Sequence, residues 1–261
     1  MKAIQNPNAF YSKNYLNENC QIDVDNNLAI NEKTLFDFNP YKDDNILISD
    51  TRQVSFSIWF KDDFGQFVTR EISTIILQNI NWRSFKISAI MPDNSETQIV
   101  YLTENYEKDL VINIPNPVTA GKISITINDI QEQNDDVVRI GQMRICKFIM
   151  DLKATTKTEV QPVVDDGDLR TFNGTLASWT NFEKWGARIT IENIKKEQLD
   201  LLKSFIKEDG YITIIPWYDF EPKDIYECLI KRGVIGTYAV NRWSGLISQS
   251  LQLEAKENAV N

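Results

Sequence analysis

The stretch WGARITIENIKKEQLDLLKSFIKEDGYITIIP, Trp185–Pro216, predicts a strand, a helix and a second strand in succession. Ala187, Ile189 and Ile191 alternate with polar residues, which is the period of a half-buried strand. The period then changes, and the sequence predicts a helix near residues 194–208. Such a helix in a strand-rich chain must cover one face or edge of a sheet.

The expected helix has an apolar stripe along one face. Leu199, Leu202 and Ile206 recur at helical spacing, and Leu201 and Phe205 are expected to widen the stripe.

The residues around the helix predict its limits. Asn193 is a candidate N-cap, and Gly210 stands where a left-handed C-cap is often needed. Pro216 is expected to end the second strand.

Composition limits the classes of function. The 261 residues are 42% hydrophobic with a net charge of −9, which suits one large domain or two ordinary ones and disfavours nucleic-acid binding. There is no histidine, so the commonest general base and metal ligand is missing. We therefore expect no enzyme activity, no catalytic residue, no cofactor and no metal site.

The cysteines and the start of the chain predict where the protein folds. Cys20, Cys146 and Cys228 are odd in number and widely spaced, which predicts free thiols in a reducing compartment. The opening MKAIQNPNAF lacks the apolar core of a signal peptide, and no apolar run reaches the length of a membrane span. A soluble protein without a membrane partner is expected.

Residues 1–150 predict an antiparallel β-sandwich, because short strands recur every ten to fifteen residues between turn-forming residues. Residues 6–19 are expected to form loops and turns. In the strand near residues 53–60, Val54, Phe56 and Ile58 share one face, and Trp59 lies on the opposite face.

Three segments of this region resemble discoidin-like, or galactose-binding-like, jelly-roll domains. They are Leu35–Asn39, Ile72–Trp82, which resembles a central strand ending in a buried asparagine, and Val138–Ile145. The resemblance implies a jelly-roll sandwich, and the family commonly binds glycans or lipids through loops at one end. Because those loops diverge widely, it implies no particular binding residue here.

Residues 151–261 predict a smaller α+β unit that contains the opening stretch. The order of a strand pair, one helix and further strands is similar to the tail-tube-like β-sandwich of tailed-bacteriophage tube, distal-tail and baseplate-hub proteins. Arg170–Leu176 and Pro216–Asp219 resemble segments of phage minor tail proteins. The resemblance implies an assembly domain.

Four aromatic residues are candidates for stacking on a glycan or anchoring a protein interface: Trp59, Trp82, Trp217 and Tyr218. Ordinary partial burial is the competing explanation for each of them.

Other motifs give weaker signals. Asp23–Asn27 begins like a calcium loop but lacks the glycine and glutamate of an EF-hand, and Asp165–Asp168 is a second acidic cluster. A solvated turn is the simpler interpretation of both. The glycines form no phosphate-binding motif, and a carboxylate pair among 37 acidic residues has almost no specificity.

Two functions follow as expectations. The first is a structural component of a phage tail or baseplate, assembled in the bacterial cytoplasm and located in the virion. It would form a homo-oligomeric ring, a hexamer or alternatively a trimer, with other tail proteins as partners. The alternative is a carbohydrate-binding adhesion module that recognises cell-surface glycans.

Overall fold

The computed structural model describes residues 9–24, 28–29, 35–36, 46–49, 53–131, 137–152, 157–161, 163–170, 176–209, 211–216, 225–230, 238–241 and 244–255. These residues form a mainly-β structure with antiparallel pairing and a single helix, which confirms the fold class expected from the sequence. The strands up to residue 151 are β1 (Ala9–Ser12), β2 (Gln21–Val24), β3 (Leu28–Ala29), β4 (Ile46–Ser49), β5 (Val54–Trp59), β6 (Arg70–Gln78), β7 (Trp82–Ile90), β8 (Glu96–Leu102), β9 (Leu110–Ala120), β10 (Lys122–Ile130), β11 (Val138–Arg139), β12 (Gln142–Cys146) and β13 (Phe148–Asp151). The later elements are β14 (Lys157–Val160), β15 (Val163–Arg170), β16 (Leu176–Lys184), β17 (Gly186–Ile194), α1 (Lys196–Asp209), β18 (Tyr211–Ile215), β19 (Tyr226–Ile230), β20 (Tyr238–Val240) and β21 (Ile247–Ala255).

The chain divides into two compact units, and the second is built from two separate parts of the sequence. The first unit contains Asn14–Phe148, and the second contains Asn6–Lys13 together with Ile149–Asn261. The prediction of loops and turns over residues 6–19 is wrong for Ala9–Ser12, which form strand β1. This strand pairs with β18, with Ala9 opposite Ile215, so it belongs to the second unit and not to the predicted first domain. The first unit is therefore an insertion between two strands of the second.

The first unit is a sandwich of two antiparallel sheets. One sheet has the order β2-β5-β10-β7-β8 and the other has the order β12-β6-β9, while β11-β4-β3 form a small third sheet. Alternate residues of the two larger sheets point into one core, which includes Phe56, Ile87 and Ile125 from the first sheet and Ile75 and Met143 from the second. This alternation confirms the shared face predicted for Val54, Phe56 and Ile58 of β5.

The second unit contains a sheet with the order β13-β1-β18-β19-β21-β17-β14, in which β20 also pairs with β21. In β17 the predicted alternation is present: Ala187, Ile189 and Ile191 are buried, whereas Arg188 is exposed. Strands β15 and β16 pair with each other as a separate antiparallel ribbon.

Helix α1 lies within two residues of its predicted limits. Leu199 and Leu202 are buried in the same core as the sheet residue Ile212. Leu201 was predicted to widen the apolar stripe but is 40% exposed, so the stripe is narrower than expected.

The start of the helix also differs from the prediction. Asn193 has a positive φ of 59° at the irregular end of β17, and the helix begins at Lys196. The side chain of Gln198 accepts a hydrogen bond from the backbone N–H of Lys195 at 3.1 Å, which is one half of a capping box. Lys195 is therefore the N-cap, and Gly210 lies outside the described residues.

The three cysteines are free, as their spacing predicted; Cys146 and Cys228 are buried, and Cys20 is half-buried. No helix in the described part of the chain has the length and apolar character needed to cross a lipid bilayer.

Candidate functional site

The four aromatic residues predicted as surface anchors have different environments. Trp59 is half-buried at the end of β5. Trp82 is fully buried, with its ring packed edge-on against Phe56 and Phe85 at centroid distances of 6.5 and 5.4 Å. The prediction of Trp82 as a surface aromatic is therefore wrong. Trp217 and Tyr218 lie outside the described residues.

Trp82 is buried on the same side as Phe85 because the alternation of β7 is interrupted at Arg83, between Ser84 and Trp82. Trp82 lies opposite Ile130, and the register between β7 and β10 shifts on either side of Asp129. Such an irregularity changes the direction of neighbouring side chains. The alternation of the sequence alone does not reveal it.

Trp59 is positioned by three neighbouring strands of the five-stranded sheet. Gln21 of β2 and Lys122 of β10 lie directly opposite Trp59, one on each side. Directly paired residues in an antiparallel sheet place their side chains on the same face. Since Ile58 points into the core, these three side chains lie on the outer face.

The Trp59 ring is held by an aromatic, a carboxylate and an ammonium group. Its centroid is 5.5 Å from that of Phe67 at an interplanar angle of 61°, and Nε1 donates a hydrogen bond to Oδ2 of Asp23 at 2.6 Å. Nζ of Lys122 lies 4.6 Å from the Trp59 ring centroid. We call the rings of Trp59 and Phe67 the aromatic platform.

Phe67 reaches Trp59 because the chain turns sharply after β5. Lys61 and Phe67 form an isolated bridge, and Oδ1 of Asp62 accepts hydrogen bonds from the N–H groups of Phe64 and Gln66, both at 2.9 Å. Gly65 has a φ of 77°, which favours glycine at this position.

The platform remains open to solvent. Phe67 is 62% exposed, and Phe64, at the tip of the turn, is 89% exposed. Sequence patterns indicated neither of these two exposed phenyl rings.

Polar side chains around the platform form one hydrogen-bonded group. Nε2 of Gln21 donates to Oδ1 of Asp23 at 2.9 Å, and Nζ of Lys61 donates to Oε1 of Gln21 at 2.9 Å. Lys61 Nζ also lies 4.8 Å from the centroid of Phe67. Hydrogen-bond donors and an acceptor thus lie beside one half-buried and one exposed ring.

Asp23 remains ionised over a wide pH range. The hydrogen bond from Gln21 is the largest cause that lowers the pKa of this carboxyl group, followed by the bond from Trp59 and the charges of Lys122 and Lys61. The sequence analysis considered Asp23 only as the start of a calcium loop, and the rest of that loop, residues 25–27, is outside the described residues.

Sequence reasoning also missed Lys61, Phe67 and Lys122 as neighbours of Trp59. Asp23, Lys61 and Lys122 come from three different strands or turns, and only the register of β2, β5 and β10 brings them together. Local patterns do not encode that register.

Among the described residues, no group of three or more cysteine, aspartate or glutamate side chains is placed to hold a metal ion. The side chains of Asp165, Asp166 and Asp168 are outside this description, while their backbone forms part of β15.

No family model matches the chain, and no curated protein matches it. Solved structures of low similarity match about half of it. The family 32 carbohydrate-binding module of Streptococcus pneumoniae EndoD is 11% identical with a TM-score of 0.42, and the match covers 51% of this chain and 97% of that module. The corresponding module of Clostridium perfringens NanJ, in complex with galactose, is 16% identical with a TM-score of 0.40 and covers 52% of this chain and 99% of that module.

A chitosan-binding module from a Paenibacillus chitosanase/glucanase is 8% identical with a TM-score of 0.37, and the match covers 52% of this chain and 98% of that module. Family 32 modules are discoidin-like sandwiches, the kind of domain named for residues 1–150 in the sequence analysis. None of these comparisons supports a phage tail protein.

Proposed function

We propose that the first unit is a non-catalytic carbohydrate-binding module and that its glycan stacks on the aromatic platform. The observation that carries the proposal is the edge-to-face pair of half-buried Trp59 and exposed Phe67 beside the hydrogen-bonded group of Asp23, Gln21 and Lys61. Binding sites for small ligands combine apolar or aromatic surfaces with a few polar groups that fix orientation. A sugar ring, which has apolar C–H faces and hydroxyl edges, suits both parts of this surface.

Two properties of the site favour binding over simple packing. Phe67 is 62% exposed, so the platform does not serve mainly to bury its own surface. In addition, the hydrogen bond from Trp59 to Asp23 and the lysine above its ring fix the indole before any ligand arrives. A preorganised ring loses less conformational entropy when a ligand binds.

A glycan array followed by calorimetry on the full chain tests the proposal. We expect wild-type protein to bind at least one class of glycan, and Trp59→Ala and Phe67→Ala each to weaken that binding by about tenfold or more, the size of an ordinary hot-spot contribution. Tyr106→Ala is the matched control, because Tyr106 is 65% exposed and has no contact with the platform. Wild-type affinity in both platform variants, or no binding to any glycan, would refute the proposal.

The role in tail or baseplate assembly stays a prediction from the sequence, as do the virion location and the homo-oligomeric ring, a hexamer or alternatively a trimer. No specific contact among the described residues favours it over glycan binding. Size-exclusion chromatography with light scattering on the full chain at micromolar concentration would test it, and a monomer in the presence of tail proteins would count against it.

A further inference from the structure

The outer face of the five-stranded sheet carries rows of side chains that cross the strands. One row includes Trp59 and Lys122, and another, four positions further along the same strands, includes Thr126 and Lys86. Between them lies a middle row set by direct pairing across all five strands: Asp23, Ser57, Ser124, Ser88 and Gln98.

The three central members of the middle row are serines, which are shorter than Trp59 and Lys122 on one side and than Thr126 and Lys86 on the other. On β5 the far side carries another serine, Ser55, so the row is open there. Residues two apart on a strand are separated by about 6.7 Å, and neighbouring strands by about 4.8 Å. The two outer rows are thus roughly 13 Å apart, and the middle row extends roughly 19 Å across the five strands. We call this low middle row the serine trough.

Burial of the serines is consistent with a depression. Ser57 and Ser88 are 8% and 2% exposed although they lie on the face away from the core, and Ser124 is half-buried. Their longer neighbours on the same face shield them. The trough begins at Asp23, which also holds the Trp59 ring, so it is continuous with the aromatic platform.

The trough offers hydrogen-bonding groups that the protein leaves unused. The hydroxyl groups of Ser57 and Ser124 make no hydrogen bond to another residue within the described ranges. The hydroxyl of Ser88 is enclosed and helps to lower the pKa of the neighbouring Glu96, an effect due first to Lys86, so a ligand does not reach it. The hydroxyl groups of Ser57 and Ser124 are not enclosed, and a polar ligand would supply the partner that such groups usually have.

The charges around the trough are of both signs, and one ion pair lies across it. Lys122 and Lys61 lie near Asp23, and Nζ of Lys86 is 2.6 Å from Oε1 of Glu96. Lys86 and Glu96 belong to rows on opposite sides of Ser88, so their ion pair crosses the trough and limits it at that end. A neutral ligand rich in hydroxyl groups fits this surface better than an anionic one.

We propose that the serine trough is an extended subsite for a linear neutral glycan, in which one sugar stacks on the aromatic platform and the next sugars cross β5 and β10 toward Ser88. This inference rests on the proposed function of the first unit, and it adds the direction, length and charge class of the ligand. It predicts recognition of a chain rather than of a single terminal sugar.

Calorimetry with linear β-1,4-linked oligomers of galactose, glucose and N-acetylglucosamine, one to five units long, tests the proposal on the full chain. We expect affinity for at least one series to rise about tenfold or more between one and three units. Ser124→Arg fills the trough and should remove that gain while leaving binding of the single sugar unchanged. Ser248→Arg makes the same substitution at a half-buried strand position in the second unit and should keep the gain.

The alternative outcomes are distinguishable. Equal affinity for one and five units, or an undiminished gain in Ser124→Arg, would overturn the trough but leave the platform intact. Preference for sulfated or uronic-acid oligomers over neutral ones would also overturn it. Failure of wild-type protein to bind any oligomer or single sugar would refute the platform as well.

A measurement on wild-type protein tests the trough even if Ser124→Arg does not fold. Amide signals of Ser57, Ser88 and Ser124 in nuclear magnetic resonance spectra should shift with a bound trisaccharide and stay unchanged with the monosaccharide. Shifts confined to residues of the aromatic platform with both ligands would overturn the trough.

Discussion

The indole nitrogen of Trp59 donates a hydrogen bond of 2.6 Å to Oδ2 of Asp23, which joins the end of β5 to the neighbouring strand β2. This bond fixes the orientation of the ring on the outer face of the sheet. Because Asp23 belongs to a different strand from Trp59, its effect on the ring can be tested without changing any aromatic side chain.

Asp23→Ala should weaken glycan binding by about tenfold, because the ring loses its anchor and the site loses its acceptor. The free energy of unfolding should change by about 1 kcal/mol or less, since the group is exposed. Calorimetry and urea unfolding measure the two effects. Asp93→Ala is the control, because Asp93 is also exposed and bonds only within its own turn, to Ser95. Equal glycan affinity in Asp23→Ala and wild type would contradict the prediction.

Binding should be insensitive to pH in the range where Asp23 stays charged. Its pKa is held below the ordinary value of about 3.9. A carboxylate whose pKa is lowered by folding contributes stability above its unfolded pKa and loses it as the pH falls through the folded pKa. Affinity should therefore be constant from pH 7 to about pH 4.5 and should decline only below about pH 4. Titrations of wild type and Asp23→Ala check this, and a wild-type midpoint between pH 5 and 6 would disagree.

Two adjacent leucines of α1 should differ in their effect on stability. Leu202 is fully buried, so Leu202→Ala should destabilise the second unit by about 2–5 kcal/mol. Leu201 is 40% exposed, so Leu201→Ala should change stability by about 0.5 kcal/mol or less. Urea unfolding followed through amide signals of the second unit measures both. Similar losses for the two variants would show that the apolar stripe is assigned incorrectly.

Gly186 lies where the backbone of a neighbouring segment approaches closely. A Cβ atom there would be 2.5 Å from the carbonyl oxygen of Gln161 and 2.9 Å from Cγ2 of Val163. Gly186→Ala should therefore cost about 1–3 kcal/mol, because the backbone must move. Gly121→Ala is the control, since its nearest contact would be Thr69 Cγ2 at 4.0 Å. Thermal unfolding of both variants checks the prediction, and an equally stable Gly186→Ala would contradict it.

The second unit should depend on residues at the opposite end of the sequence. Deleting residues 1–13 removes β1, which lies between β13 and β18 in the sheet and buries Phe10 and Tyr11. We expect that chain to lose hydrogen-exchange protection in β18 while the first unit keeps its own. A fragment of residues 151–261 lacks the same strand and should not fold alone as a stable unit. Native protection of β18 in either truncated chain would contradict this.

Local sequence patterns predicted the elements but not their long-range arrangement. The period of two in Val54, Phe56 and Ile58 correctly placed Trp59 on the outer face, and the helical period placed α1 within two residues. Each of these features depends on residues close together in the chain.

The features that sequence reasoning missed depend on register between distant strands. The Trp59–Asp23 contact follows from how β2 pairs with β5, and the burial of Trp82 follows from the irregular pairing of β7 with β10 at Arg83. The position of β1 follows from pairing across two hundred residues. Alternation along one strand carries no information about which strand it pairs with or in what register, so these three features could not be predicted from it.

The pairing of Ala9 with Ile215 also has a consequence during synthesis on the ribosome. Strand β1 is translated before the inserted unit, yet its partner β18 is translated only after it. At about 5–20 residues per second, the wait is roughly 10–40 s. During that interval the first unit can fold, while β1 has only β13 of its two neighbouring strands to pair with. One edge of β1, with the apolar side chains of Phe10 and Tyr11, therefore stays open on the nascent chain until translation of β18 is complete, and a cellular chaperone would act there.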